Sequence, residues 1–297
     1  MKLRLNHGGA AKPIILTMRI VVQIPAADLR LINRKGAIMK KRYKIQFPQT
    51  DVHKLGQDES FFYLTESDSR RKIRFHDYDE IYKKAGLYEQ LFCDRLKCSS
   101  PQKISEILKY CVTQSGDNFT ELRVLDLGAG NGMMGEALNK YGVSRLVGAD
   151  IIEEAKVAAE RDRVGLYDDY YVVDFCELSD GQRNEIASWS LNTLTVVAAL
   201  GFDDIPPKAF IEGFNLIQSE GWIAFNIKET FLDYRDDSGF SKVIRELIFS
   251  EYLDLSYLER YQHRLSIDGG PLYYFAIAGR KNGDIPKDFL EAIGTSP

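Results

Sequence analysis

The run Val124-Leu125-Asp126-Leu127-Gly128-Ala129-Gly130-Asn131-Gly132 sets a glycine-rich turn between an apolar segment of strand type and a helical one. Glycines at such a turn let the backbone approach a ligand and adopt positive φ, and the helix that follows offers free N–H groups. A nucleotide-type ligand is the expected guest. The next apolar run ends in Asp150, 18 residues after Gly132, where a carboxylate can accept both hydrogen bonds of a ribose diol. The turn can be framed in two ways. Gly130-Asn131-Gly132-Met133-Met134-Gly135 satisfies the G-x-G-x-x-G fingerprint of dinucleotide sites, with Asp150 lying 20 residues beyond Gly130. Asp126 discriminates, because a carboxylate at the end of an apolar strand is expensive unless a cation or a set of donors meets it. A pyrophosphate would be repelled there, whereas the α-ammonium and sulfonium of S-adenosylmethionine would be complementary. That cofactor is the expected one, and NAD(P) is the alternative.

These residues resemble the first motif of class I S-adenosylmethionine-dependent methyltransferases, and the resemblance covers roughly residues 76 to 281. It implies an α/β fold: a doubly wound Rossmann-like methyltransferase sheet, mostly parallel, with a C-terminal antiparallel hairpin and a small helical cap in front. It implies methyl transfer as the activity. Carried over residue by residue, Asp126, Gly128, Gly130, Asn131 and Gly132 would cradle the methionine and ribose part of the cofactor. Asp150 would hold the ribose hydroxyls, with Ile151 against the adenine. Asp174-Phe175 would bind the adenine amino group and pack beside the ring, and Ala198, after the fourth strand, would also belong to the cofactor site. Asp174 reads also as a strand-end turn residue, and Phe175 as core. The segments Gly165-Leu166-Tyr167-Asp168, Val197-Ala198-Ala199-Leu200 and Asn226-Ile227-Lys228-Glu229 look similar to the methyltransferase-like proteins typified by the Williams-Beuren-region methyltransferase. The Asn/Asp-Pro-Pro-aromatic run of members that methylate adenine or glutamine amide nitrogen is replaced by Ala198-Ala199-Leu200-Gly201-Phe202. Methylation of the adenine amino group is therefore not expected.

Acceptor-side candidates are sparser. Tyr78, Tyr82 and Tyr88 fall where this family commonly carries a lid, and they read equally as packing of a helical layer. Phe202 belongs to the loop after the fourth strand. His263 is conceivable as a base or as a structural residue. No general base stands out, which favours an acceptor that is already nucleophilic, such as an amine, thiol or carboxylate. Lys228 and Glu229 receive no catalytic role. The four cysteines, at 93, 98, 111 and 176, form no C-x-x-C pair and no metal-ligand spacing, so no metal is expected.

The elements that must position these residues follow from periodicity. Short apolar runs at 123–127, 145–150, 170–174, 193–198 and 222–227 alternate with helical segments, the sign of a parallel α/β sheet. The runs 260–267 and 272–280 are joined by Asp268-Gly269-Gly270-Pro271, too short for a crossover helix, and so form an antiparallel hairpin. Helical spacing covers 76–111, with Ser100-Pro101 opening its last helix. Four regions result: a basic N-terminal extension at 1–58, a helical cap at 59–121, a cofactor-binding methyltransferase domain at 122–282, and a tail at 283–297.

The composition of the whole chain, 297 residues with 39 Lys+Arg, 43 Asp+Glu and 44% hydrophobic, excludes disordered, collagen-like and disulfide-scaffold classes. The net charge of -4 divides unevenly: residues 1 to 44 carry +10 and the remaining 253 carry -14. The basic leader reads as a signal or transit peptide, as an arm for nucleic acid, or as a segment outside the functional unit, since Met39 followed by Lys40-Lys41 is a plausible start. Its apolar stretch, 13–27, contains Arg19 and is too short to span a membrane. A cytoplasmic protein acting on a small molecule is the first expectation. A nucleic-acid or protein methyltransferase using the leader is the second, and a non-catalytic cofactor-binding protein the third. Oligomeric state is open.

Overall fold

Ahead of the α/β alternation, Lys44–Gln46 (β1), Phe61–Glu66 (β2) and Ser69–Arg74 (β3) pair antiparallel as a three-stranded sheet in the order β1-β2-β3. The computed structural model describes residues 41–49, 59–67, 69–202, 204–233, 235–236 and 238–295, so the expectations for the leader up to residue 40 lie outside the described residues. The stretch expected as a purely helical cap thus begins with a hairpin. Its signal was weak because Ile73 is the one buried residue of β3, the rest of which is Ser, Arg and Lys. Phe62 and Leu64 of β2 point inward with Ile73, and their alternation is the two-residue period of a half-buried strand.

The chain then turns helical through Tyr78–Tyr82 (α1), a π-helical turn at Glu89–Arg95 and Ser100–Gln114 (α2). Pro101 sits in the first turn of α2, where a missing N–H does no harm. From there strand and helix alternate: Arg123–Leu127 (β4), Met133–Asn139 (α3), Arg145–Asp150 (β5), Glu153–Asp162 (α4), Asp169–Val172 (β6), Asp180–Ala187 (α5), Thr193–Val196 (β7), Pro207–Asn215 (α6) and Trp222–Lys228 (β8). After Phe240–Phe249 (α7) come Leu253–Leu265 (β9), Pro271–Lys281 (β10) and a short Phe289–Ala292 (α8).

The large sheet runs β6-β5-β4-β7-β8-β10-β9. The pairs β4–β5, β4–β7, β5–β6 and β7–β8 are parallel, and β10 is antiparallel to both β8 and β9. This is the mostly parallel, doubly wound sheet with a C-terminal hairpin that the sequence predicted. The hairpin strands are longer than expected, 13 and 11 residues, because the first half of β9 alternates exposed and half-buried side chains and has no continuous apolar run. A dinucleotide sheet in the order 3-2-1-4-5-6 continues with a parallel strand where β10 inserts.

Alternation along the strands feeds two cores. Leu125, Val147, Leu194 and Phe225 face α5, α6 and α7, with Phe210 and Phe214 of α6 fully buried against them. Val124, Leu146 and Ala224 face α2 and α3. Burying each such phenylalanine contributes about 1.5–3 kcal/mol, which clamps the strands whose carboxyl ends carry the site.

Candidate active site

The chain reverses direction across the sheet at β4, which lies between β5 and β7, so the crevice at the carboxyl ends of these strands is where a ligand is expected. A cavity of about 570 Å³ opens there. It is lined from four of the five parallel strands: Leu127 to Asn131 at the end of β4, Asp150 to Ile152 at the end of β5, Val173 to Cys176 after β6, and Val197 to Ala199 after β7. Gly130 adopts φ +53, and a Cβ there would run into the Tyr82 hydroxyl. Gly128, at φ +71, lies so close to Ala199 and Ile205 that a Cβ would come within 2.8 and 2.9 Å of them. Both positions need glycine for shape as well as for backbone angle.

Asp150 reaches back into the loop. Its Oδ2 accepts the Gly130 N–H at 2.9 Å and its Oδ1 accepts the Ile152 N–H at 3.2 Å. Burial pushes its carboxyl upward, against the pull of those backbone donors. A carboxylate has about four acceptor positions, so two remain for a ligand.

Asp126 and Gly132 are placed differently from their expected roles. Neither lines the cavity. Asp126 is 1% exposed, with Tyr167 Oη donating to one oxygen and Thr195 Oγ1 to the other, each at 2.8 Å. The donors that make a strand-end carboxylate tolerable are supplied by the protein itself. Burial nevertheless raises its pKa to about 6. Gly132, at φ +89, begins α3 and packs against Arg163, Leu166 and Tyr167, where a Cβ would meet atoms at 3.1 Å.

Asn131 is buried and lines the cavity, and its Nδ2 donates to Glu89 Oε1 at 3.0 Å. Arg163 completes this support by donating to the Asn131 carbonyl at 2.8 Å and to Glu89 Oε1 at 3.0 Å. Glu89 Oε2 is buried without a hydrogen-bond partner among the described residues. Glu89 opens the π-helical turn, a rare local form that often marks functional positions, and sequence periodicity gave no sign of it.

The other cofactor candidates line the same cavity. Ile151 is 61% exposed, which is unusual for isoleucine and suits a flat apolar contact. Asp174 accepts the Cys176 N–H at 2.7 Å, the turn role weighed for it, and retains its second oxygen. Phe175 belongs to the core and also contributes to the wall. Ala198 adopts φ +59, an uncommon angle for a residue with a Cβ. Its N–H donates to Asn226 Oδ1 at 2.6 Å, and Asn226 Nδ2 donates to Ser100 Oγ at 3.1 Å and Tyr261 Oη at 2.7 Å. That buried network holds the strained residue in place.

Tyr78, Tyr82 and Tyr88 form a ladder over the glycine loop, with ring centroids 5.9 and 5.4 Å apart, and Phe92 extends it at 4.7 Å. Burial raises all three phenols above their ordinary value, so they remain protonated. Beyond the ladder lies a smaller pocket of about 40 Å³, sharing Tyr78, Tyr88 and Ala198 with the larger cavity and lined also by Phe202 and His263. His263 is 4% exposed, with Nδ1 2.5 Å from Ser100 Oγ and its ring 4.0 Å from that of Tyr274. Burial, and secondarily Arg264, pushes its pKa well below the usual range. It is a neutral member of the Asn226 network, in keeping with the structural role weighed for it.

The structure therefore gathers all five acceptor-side candidates around two adjoining spaces, and adds residues that the sequence did not single out. His76 Nδ1 lies 3.2 Å from Asp204 Oδ1, and both line both spaces. They are 128 positions apart, a separation that no local pattern bridges. Four carboxylates, Asp79, Asp150, Asp174 and Asp204, line the larger cavity, and no Lys or Arg does among the described residues.

No family model and no curated protein matches the chain. Solved structures are similar to it. The N-methyltransferase NodS from Bradyrhizobium japonicum, in complex with S-adenosyl-l-homocysteine, is 14% identical over 70% of this chain and 97% of its own, with a TM-score of 0.47. The magnesium protoporphyrin IX methyltransferase ChlM from Synechocystis, with bound S-adenosylmethionine, is 15% identical over 61% of this chain and 79% of its own, at 0.41. A S-adenosylmethionine-dependent methyltransferase from Methanosarcina mazei is 17% identical over 56% and 94%, at 0.41.

Proposed function

We propose that this chain binds S-adenosylmethionine in the larger cavity and directs its methyl group to a small-molecule acceptor in the adjoining pocket. The charge of the cavity carries the reading. Four carboxylates and no Lys or Arg among the described lining residues disfavour the pyrophosphate of NAD(P), which would meet like charge without a cationic partner. A cofactor bearing a sulfonium and an ammonium meets the complementary field.

The residues present fit that group. Asp150 has acceptor positions left for ribose hydroxyls, and Ile151 and Phe175 offer apolar surface for a base, with the second oxygen of Asp174 beside them. Glu89 backs Asn131 from behind the cavity wall and, like Asp126, does not itself line the cavity. When bound, the cofactor supplies a methyl group already activated by its sulfonium, which leaves positioning and water exclusion to the protein. Such positioning is worth roughly 7 to 11 kcal/mol. The tyrosine ladder keeps water out. His76 offers its second ring nitrogen to a proton on the acceptor, while Asp204 orients the ring. Residues 122–282 then act as the cofactor-binding domain and residues 59–121 as its cover.

Metabolite extracts incubated with the protein and methyl-labelled cofactor test this reading by mass spectrometry. Transfer of label to one small product, with S-adenosylhomocysteine released, is expected. Absence of labelled product from every extract would contradict catalysis.

A further inference from the structure

Arg264, on β9, is 4% exposed and lines the smaller pocket. Its side chain's one hydrogen bond among the described residues runs from Nη1 to the Leu265 carbonyl at 2.9 Å, and no carboxylate among those residues pairs with it. Guanidinium carries five N–H donors. Phe75 and Phe92 place their rings 5.4 and 5.9 Å from its Cζ, which eases the burial of the cation without neutralising it. A buried charge without an opposite partner is strongly unfavourable, so such a residue implies a partner from beyond the described residues. Asp204, the acid in the same pocket, is engaged by His76.

Resting on the methyl-transfer reading above, we infer that Arg264 receives a carboxylate of the acceptor, so that the substrate is a small organic acid. The pocket supplies one cation and about 40 Å³, room for a single carboxylate, while the body of the acid extends past the tyrosine ladder toward the larger cavity. The planar fork of arginine matches carboxylate geometry with two parallel hydrogen bonds. A phosphate dianion would bring a second negative charge beside Asp204 with no cation to meet it. The anchored acid places its remaining groups near His76, which borders both spaces.

Calorimetric titration of the full chain, preloaded with S-adenosylhomocysteine, tests this with benzoate, phenylacetate and butanoate, their three amides, and inorganic phosphate as probes. At least one carboxylate should bind tenfold or more tightly than its amide, and phosphate should not bind. Arg264→Met should abolish that preference and Arg264→Lys retain part of it, both keeping S-adenosylhomocysteine affinity as the sign of an intact fold. Equal binding of acids and amides, binding of phosphate in their place, binding of none of the acids, or a preference that survives Arg264→Met would overturn the assignment. Failure of the unmodified chain to take up S-adenosylhomocysteine would instead strike the methyl-transfer reading, and is read separately.

Discussion

Two aspartates of like sequence context end in opposite situations, and each carries a prediction. Asp126 is enclosed, with a pKa near 6 in the fold against 3.8 for the free side chain, so folding favours its protonated form. The stability it lends is complete below about pH 4 and is lost as pH rises through 6, by on the order of 2 to 3 kcal/mol. Asp126→Asn removes that dependence. Urea unfolding should show the variant gaining on the parent protein by that amount between pH 4 and pH 7.5, and a constant difference would refute the burial argument. Asp150 lines the cavity and is half-committed to the backbone. Asp150→Ala should weaken S-adenosylmethionine binding by tenfold or more in calorimetry, equivalent to about 1.4 kcal/mol. Unchanged affinity would remove Asp150 from the site.

At the scale of elements, the glycine loop and the helical turns above it act as one unit. Gly130→Ala should abolish cofactor binding because the new methyl runs into the Tyr82 hydroxyl, and adding Tyr82→Phe should restore part of it. No restoration would mean that the backbone angle alone matters. On the far side, Asn226→Ala strands the Ala198 N–H, while the hydroxyls of Ser100 and Tyr261 lose one bond each and keep the one between them. A loss of roughly 1–3 kcal/mol for that stranded N–H is expected, read as a lowered unfolding midpoint. These elements differ in how visible they are in the sequence. The strand, glycine turn and Asp150 were legible because consecutive residues carry both the local conformation and the chemistry. The three tyrosines were legible as helical spacing, although not as a stacked ladder. The β2–β3 hairpin was obscured by the charged residues of β3, and the π-helical turn that presents Glu89 has no periodic signature. His76–Asp204 and Arg264 were invisible for a topological reason, since the antiparallel hairpin and the loop after β7 bring together residues far apart in the chain.

For the molecule as a whole, the uneven charge acquires a location. The body after residue 44 carries -14, and four of its acids surround the larger cavity. That field suits a cationic cofactor and repels polyanions at the mouth of the site. Deleting residues 1–38 should therefore leave cofactor affinity unchanged, and a large loss would show that the leader completes the site. On the reading proposed above, this cavity selects S-adenosylmethionine over a dinucleotide even though its loop satisfies the G-x-G-x-x-G pattern. Calorimetric titration of the 297-residue chain with S-adenosylhomocysteine and, in parallel, with NADH and NADPH distinguishes the two. Saturable binding of S-adenosylhomocysteine at a single site is expected, with none of either nicotinamide nucleotide; binding of a nicotinamide nucleotide alone would contradict that selectivity.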